Sequence, residues 1–251
     1  MKRSYRKPPI IEALCEFQFE PSQPWDGTFL GPIYDKVQSV FPMKRPVDTL
    51  QVQVGLSGQE APAPSVVSVP GSMWFMREDE KVLMRVGPDV FSVHHLQPYS
   101  DWETLRGYIE RALDAYRQVA RPSGVRRLGL RYVNRLEVPG QNVAIEDYLF
   151  ALPSIPEKLP QQFSRWVQRV EIPYAQLRGI LALQSGSIHE EGQEDSAFLL
   201  DLDFSTSPLE AMPLAHAVEW VERAHDEVER AFEACITPTA RQLLQEVNSG
   251  E

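Results

Sequence analysis

Leu128-Gly129-Leu130-Arg131-Tyr132-Val133-Asn134-Arg135-Leu136-Glu137-Val138 lies at the middle of the chain and reads as one long strand. Side chains alternate along a strand, so its two faces differ in chemistry. Leu128, Leu130, Tyr132, Asn134, Leu136 and Val138 share one face, apolar except for Asn134. Gly129, Arg131, Val133, Arg135 and Glu137 share the other, where Arg131 and Arg135 stand four residues, roughly 13 Å, apart. A strand with one apolar face needs a second layer to cover it, so this stretch points to a sheet with helices against one side.

The surrounding chain supports that reading. Residues 10 to 20 alternate in the same way, with Ile11, Ala13, Cys15, Phe17 and Phe19 on one face and Glu12, Leu14, Glu16, Gln18 and Glu20 on the other. Phe29 to Phe41 has helical spacing, with Pro32 in its first turn and Pro42 closing it. Short strand-like runs follow at Thr49–Gly55, Ser65–Val69, Ser72–Arg77, Lys81–Val86 and Val90–Leu96. A Pro/Ala/Ser-rich loop at 59 to 64, an Asp79-Glu80 tip and a Gly87-Pro88-Asp89 turn separate them, a pattern of antiparallel hairpins. Ser100-Asp101-Trp102-Glu103 matches a capping box with Ser100 as the cap. Trp102, Leu105, Ile109, Ala112, Leu113, Tyr116 and Val119 then repeat at helical spacing until Pro122.

Beyond the central strand, Val143–Leu152 reads as a short helix, and Ser164–Ile172, Tyr174–Gln184 and Ala197–Phe204 as strands. The polar stretch from Ser185 to Asp195 reads as a loop or hairpin tip. Pro213 opens a long amphipathic helix with Leu214, Val218, Val221, His225, Val228, Phe232 and Cys235 on one stripe. Thr237-Pro238 caps a last short helix running to about Val247. The expected fold class is therefore α+β: an antiparallel sheet with long helices packed on one face. Residues 1–122 and 123–251 each run strand, helix, antiparallel strands, long helix. That order suggests a duplicated unit whose halves share one sheet and leave a concave opposite face open; a single domain without internal symmetry is the alternative.

Composition sets limits on function. The 251 residues carry a formal charge of −10, which argues against bulk attraction to nucleic acid. No apolar run reaches the roughly 20 residues that span a bilayer, and Glu12 and Glu16 interrupt the apolar stretch after the basic start, unlike a signal peptide. These features point to the cytoplasm, with no membrane partner. Cys15 and Cys235 fall on apolar faces and read as buried thiols.

Pro8-Pro9-Ile10-Ile11-Glu12, Leu128-Gly129-Leu130-Arg131-Tyr132-Val133-Asn134-Arg135 and Phe232-Glu233-Ala234-Cys235-Ile236-Thr237 together resemble a poorly characterised, sporadically distributed bacterial family of about this length. The likeness covers nearly the whole chain, and the central Leu-Arg-Tyr-x-Asn-Arg motif is its most specific part. Sporadic distribution in that family implies horizontal transfer and fits accessory or defence-type loci; the family brings no activity, cofactor or catalytic residue with it.

The candidate ligand-binding residues are Arg131 and Arg135, with Tyr132, Glu12 and Glu16 in support. If the first strands of the halves pair, Glu12 and Glu16 face the arginines. They then form either a structural ion-pair ladder or a site where an arginine fork holds an anionic small molecule. Asn134 reads as a buried hydrogen-bonding residue and His225 as a satisfied core histidine. Glu12, Glu16, Glu20, Asp201 and Asp203 are the carboxylates available to a metal-dependent phosphate-ester or nucleotide-processing enzyme. Against that, His94 and His95 point opposite ways on a strand, and no zinc spacing, phosphate loop or nucleophile motif occurs. No catalytic residue, metal or cofactor is assigned. The leading expectation is a binding or regulatory module with an anionic ligand or a protein partner on the concave sheet face. The sequence does not set the oligomeric state.

Overall fold

The computed structural model describes residues 3–51, 65–140, 143–161, 165–188, 195–207 and 212–247. The loop expected at 59–64 and His189 lie outside them. The chain forms β1 (Ile10–Glu20), α1 (Leu30–Val37), β2 (Met43–Gln51), β3 (Ser65–Met76), β4 (Val82–Gly87), β5 (Val90–Leu96) and α2 (Trp102–Ala120). It continues through β6 (Gly124–Val138), β7 (Val167–Tyr174), β8 (Gly179–Ile188), β9 (Ser196–Thr206), α3 (Ala217–Cys235) and α4 (Pro238–Leu243). All strands join one antiparallel sheet in the order β2-β3-β4-β5-β1-β6-β9-β8-β7. The fold is α+β.

The seam of the sheet is β1 against β6, with Leu14 opposite Arg131 and Cys15 opposite Leu130. From that seam outward, β1 is followed by β5, β4, β3 and β2, and β6 by β9, β8 and β7, so the first half carries one strand more. The long helices lie on the face made by Phe17, Phe19, Leu128, Leu130 and Tyr132, all buried. On one half, Phe17 stacks on Phe91 and Phe19 on Tyr116 of α2, each at 4.6 Å between ring centres. On the other, Phe204 packs on Trp220 of α3 at 5.7 Å. Burying a large apolar side chain contributes about 1.5–3 kcal/mol, so these rings fix both helices over the sheet. Cys15 and Cys235 are buried free thiols in this layer.

Several elements differ from the pattern. Asp101, not Ser100, caps α2: its carboxylate accepts from the Thr104 amide at 2.7 Å, three residues on. The region expected to be helical at Val143–Leu152 makes a single tight turn at Ile145–Asp147. Its backbone is drawn away by the end of α3: the Phe150 amide donates to the Cys235 carbonyl at 2.8 Å, and the Thr237 amide to Tyr148 at 3.1 Å. Strand β7 runs through Pro173 rather than stopping at Ile172, because a proline on an edge strand can turn its missing donor away from the neighbour. Thr237 caps α4 as expected, accepting from the Ala240 amide at 3.2 Å. No helix among the described residues is long and apolar enough to cross a membrane.

Candidate functional site

The two faces of the central strand lead to two different environments. On the face away from the helices, strand register brings Glu12, Glu16, Arg131, Asp201 and Asp203 together. Arg131 is directly opposite Asp203 but reaches diagonally to Asp201 with both ends of its guanidinium, at 2.8 and 2.6 Å. Asp201 is buried, with a side chain only 6% exposed, while Arg131 is 42% exposed. Arg127 bridges Glu16 at 3.4 Å and Asp203 at 3.7 Å. Glu12 turns the other way along the sheet, to His94 Nδ1 at 2.7 Å, and His94 Nε2 meets the Ser92 hydroxyl at 2.8 Å. The His94 bond, helped by the charge of Arg131, holds the Glu12 carboxyl below its usual range against the opposing effect of burial. Asp203 goes the opposite way: burial raises its carboxyl more than Arg127 and Arg131 lower it. Arg135 lies further along the same face and bonds Glu137 at 3.0 Å. The glutamates and arginines do share a face, but the fork of Arg131 is taken by Asp201. Local sequence marks Asp201 and Asp203 only as possible metal carboxylates; the pairing with Arg131 depends on β9 lying next to β6, which no local pattern announces.

On the helix face, Tyr132 stands at the floor of a cleft of about 980 Å³. Its walls come from the N-terminal segment (Tyr5, Pro9, Ile10), the start of α2 (Asp101, Trp102, Glu103) and one side of α3 (His225, Asp226, Glu229, Phe232). A bulge in β1 builds this end. Register slips between Ile10 and Glu12, so Ile10 rather than Ile11 lies opposite Asn134. The Arg135 amide then donates to the Pro9 carbonyl at 2.8 Å, tying the segment over the cleft. The same segment is clasped by the C-terminal end: Arg6 and Lys7 amides donate to the Gln245 and Leu244 carbonyls at 3.0 and 3.1 Å.

The cleft floor is aromatic and polar at once. His225 stacks flat on Trp102, ring centres 4.1 Å apart and planes within 9°. Its Nδ1 meets the Tyr132 hydroxyl at 3.3 Å, its Nε2 lies 3.3 Å from Glu229, and Tyr132 meets the Tyr99 hydroxyl at 3.2 Å. Burial raises both phenols, and the nearby charge of Glu229 raises them further. Asn134 donates to the Leu200 carbonyl at 3.0 Å and also lines the cleft. Carboxylates outnumber arginines along the walls, Asp101, Glu103, Asp226, Glu229 and Glu233 against Arg3 and Arg230. Sequence periodicity placed Tyr132, Asn134 and His225 on apolar faces correctly. It did not reveal that those faces meet at an opening, because Tyr99, Trp102, Tyr132 and His225 come from separate elements. Among the described residues no group of three His, Cys, Asp or Glu side chains stands close enough to hold a metal.

Comparison with protein-family models gives no match, and comparison with curated proteins gives none either.

Proposed function

We propose that this chain is a binding module that takes a small ligand in the cleft between α2, α3 and the N-terminal segment. The observation that carries this reading is the buried Tyr132–His225 pair, with its Trp102 stack, placed at the floor of an open cleft of ligand size. The wall chemistry favours a ligand with a positive charge on an apolar body. Aromatic faces attract cations, and the surrounding carboxylates add to that field. An anion held by Arg131, the ligand type expected from the central motif, has less support: its fork already bonds Asp201. The opposite face then serves mainly to hold β6 and β9 together.

The order β5-β4-β3 beside β1, matched by β9-β8-β7 beside β6, supports reading residues 1–122 and 123–251 as two copies of one unit, with β2 an extra edge strand of the first. The cleft then belongs to the place where the long helices of both copies meet. A regulatory role in an accessory or defence-type bacterial locus rests on the family resemblance of the three stretches, and a cytoplasmic setting on the interrupted apolar stretch after the basic start. The enzyme reading keeps one observation in its favour, Asp203 on the same sheet face as Glu12 and Glu16, with Asp201 buried against Arg131; a rise in melting temperature with a divalent cation, lost in Asp203→Asn, is what it requires.

The test of the binding reading uses three probes of similar shape: phenethylammonium, phenethyl alcohol and phenylpropionate. Calorimetric titration is run on the full chain, with Trp102→Ala as the cleft control. Binding of the ammonium probe that is lost in Trp102→Ala supports the reading. If none of the three binds, or binding survives Trp102→Ala, the cleft is not the ligand site.

A further inference from the structure

Strand β7 ends the sheet and pairs only with β8 among the described residues. It is unusually apolar for an edge: Val167 is 75% exposed, Val170 48% and Ile172 38%. Edge strands present unpaired backbone groups, and proteins ordinarily blunt them with charge or proline. Here the charges have a particular arrangement. The Trp166 carbonyl accepts from the Ser187 amide at 3.1 Å, which fixes the phase of the ladder. Even-numbered residues of β7 therefore bond β8, and Val167, Arg169, Glu171 and Pro173 turn their backbone groups outward. Pro173 fits this phase, since its missing amide would otherwise cost β8 a bond.

We propose that the open edge of β7 pairs antiparallel with β7 of a second copy of this chain, about a twofold axis at Val170. In that register Arg169 lies opposite Glu171 of the second copy, and Glu171 opposite its Arg169. Each of these pairs can exchange both backbone bonds, and the Val167 amide can donate to the Pro173 carbonyl at each end. Sliding the pairing by one step along the outward residues places Arg169 against Arg169, or Glu171 against Glu171, which like-charge repulsion disfavours. The charges thus act as a register key, where a blunted edge would carry one sign. Both side chains are exposed, 51% and 59%, and bond each other at 3.1 Å within the strand, so exchange to cross-strand partners needs no burial of a lone charge. Val170 meets its own counterpart on the axis, covering an apolar side chain that is otherwise half in water. A twofold contact uses the same edge on both copies and closes, giving a dimer rather than a fibre.

Sedimentation equilibrium on the full chain tests this. The unmodified protein is expected to dimerise in the micromolar range. Arg169→Glu alone and Glu171→Arg alone each place like charges opposite and weaken self-association by about tenfold or more. The double exchange Arg169→Glu with Glu171→Arg restores opposite pairs and with them the dimer. Val170→Lys breaks the contact at the axis independently of the key, and circular dichroism confirms that each variant is folded. The proposal is overturned by a protein that stays monomeric at high concentration, by a dimer indifferent to the single reversals and to Val170→Lys, or by a double exchange as weak as the singles.

Discussion

Arg131 and Asp201 form a two-bond fork that crosses from β6 to β9 on the diagonal, Nε to Oδ1 at 2.8 Å and Nη2 to Oδ2 at 2.6 Å. Two parallel charge-assisted bonds fix orientation as well as distance. Because Asp201 is buried and Arg131 is partly exposed, removing the arginine leaves a carboxylate with no full solvent shell. Arg131→Ala is expected to cost about 2 kcal/mol, below the ~3–5 kcal/mol of a fully buried pair because water can reach part of the site. At about 2–4 °C per kcal/mol for a chain of this size, melting falls by roughly 4–8 °C. Arg131→Ala with Asp201→Ala should recover part of that loss, since no charge is then stranded. Urea unfolding measures both; an unchanged midpoint in Arg131→Ala would show that the fork does not hold the strands.

The two carboxylates flanking that fork should respond to acid with opposite signs. Glu12 has its folded pKa below the ordinary 4.5, chiefly through the His94 bond. Its contribution is therefore present above pH 4.5 and is lost as pH falls through the lower folded value. Glu12→Gln should lower stability at pH 7 and flatten the acid limb of the stability curve. Asp203 has its folded pKa above the ordinary 3.8, chiefly through burial. Its ionised form is a burden at neutral pH, relieved as pH falls through the raised folded value. Asp203→Asn should raise the melting temperature at pH 7, and that gain should vanish toward pH 3.8. Melting curves from pH 3 to pH 7 check both, and two variants shifting in the same direction would contradict the assignment.

How much of this was legible depended on whether the deciding force was local. Alternation from Leu128 to Val138 and from Ile10 to Glu20 identified both central strands, because a half-buried sheet imposes a period of two. It also separated Arg131 from Tyr132 across the sheet. The α2 cap moved by one residue because Asp101, with its stronger acceptor, stands three residues before Thr104. The Ile145 region lost its helix to bonds with Cys235 and Thr237, nearly ninety residues away in the chain. The bulge at the start of β1 and the fork to Asp201 are equally non-local. The open cleft was invisible for the same reason: Trp102, Tyr132 and His225 of its floor look like core until the helices are placed.

Gly179 gives a packing prediction. A Cβ at this position would lie 2.7 Å from Phe204 Cε1, 3.0 Å from its Cζ and 3.1 Å from the Ser205 carbonyl oxygen. Phe204 is fully buried and packs on both Tyr174 and Trp220, so it has little room to retreat. Gly179→Ala should therefore destabilise by about 1–3 kcal/mol, the usual penalty for forcing an atom into a packed core. Gly27→Ala is the matched control, since a Cβ there meets nothing within 4 Å. Equal melting temperatures for the two variants would mean that the Phe204 layer is looser than its burial suggests.

Glu229 separates a cation-binding cleft from one that merely accepts apolar molecules. It lies one helical turn beyond His225 on α3, 3.3 Å from the ring, and its charge is felt by both Tyr99 and Tyr132. Glu229→Gln keeps the shape of the side chain and removes the charge. An ammonium ligand seated against the aromatic floor would lose a charge-assisted contact of about 1.5–3 kcal/mol, so phenethylammonium should bind at least about tenfold more weakly. Phenethyl alcohol has no charge to lose and should bind the variant and the parent alike. Calorimetry on the two probes gives the comparison, and melting curves confirm that the fold is intact. Equal losses for both probes would mean that Glu229 shapes the cleft rather than attracting charge. No loss for either would move the ligand away from the α3 wall.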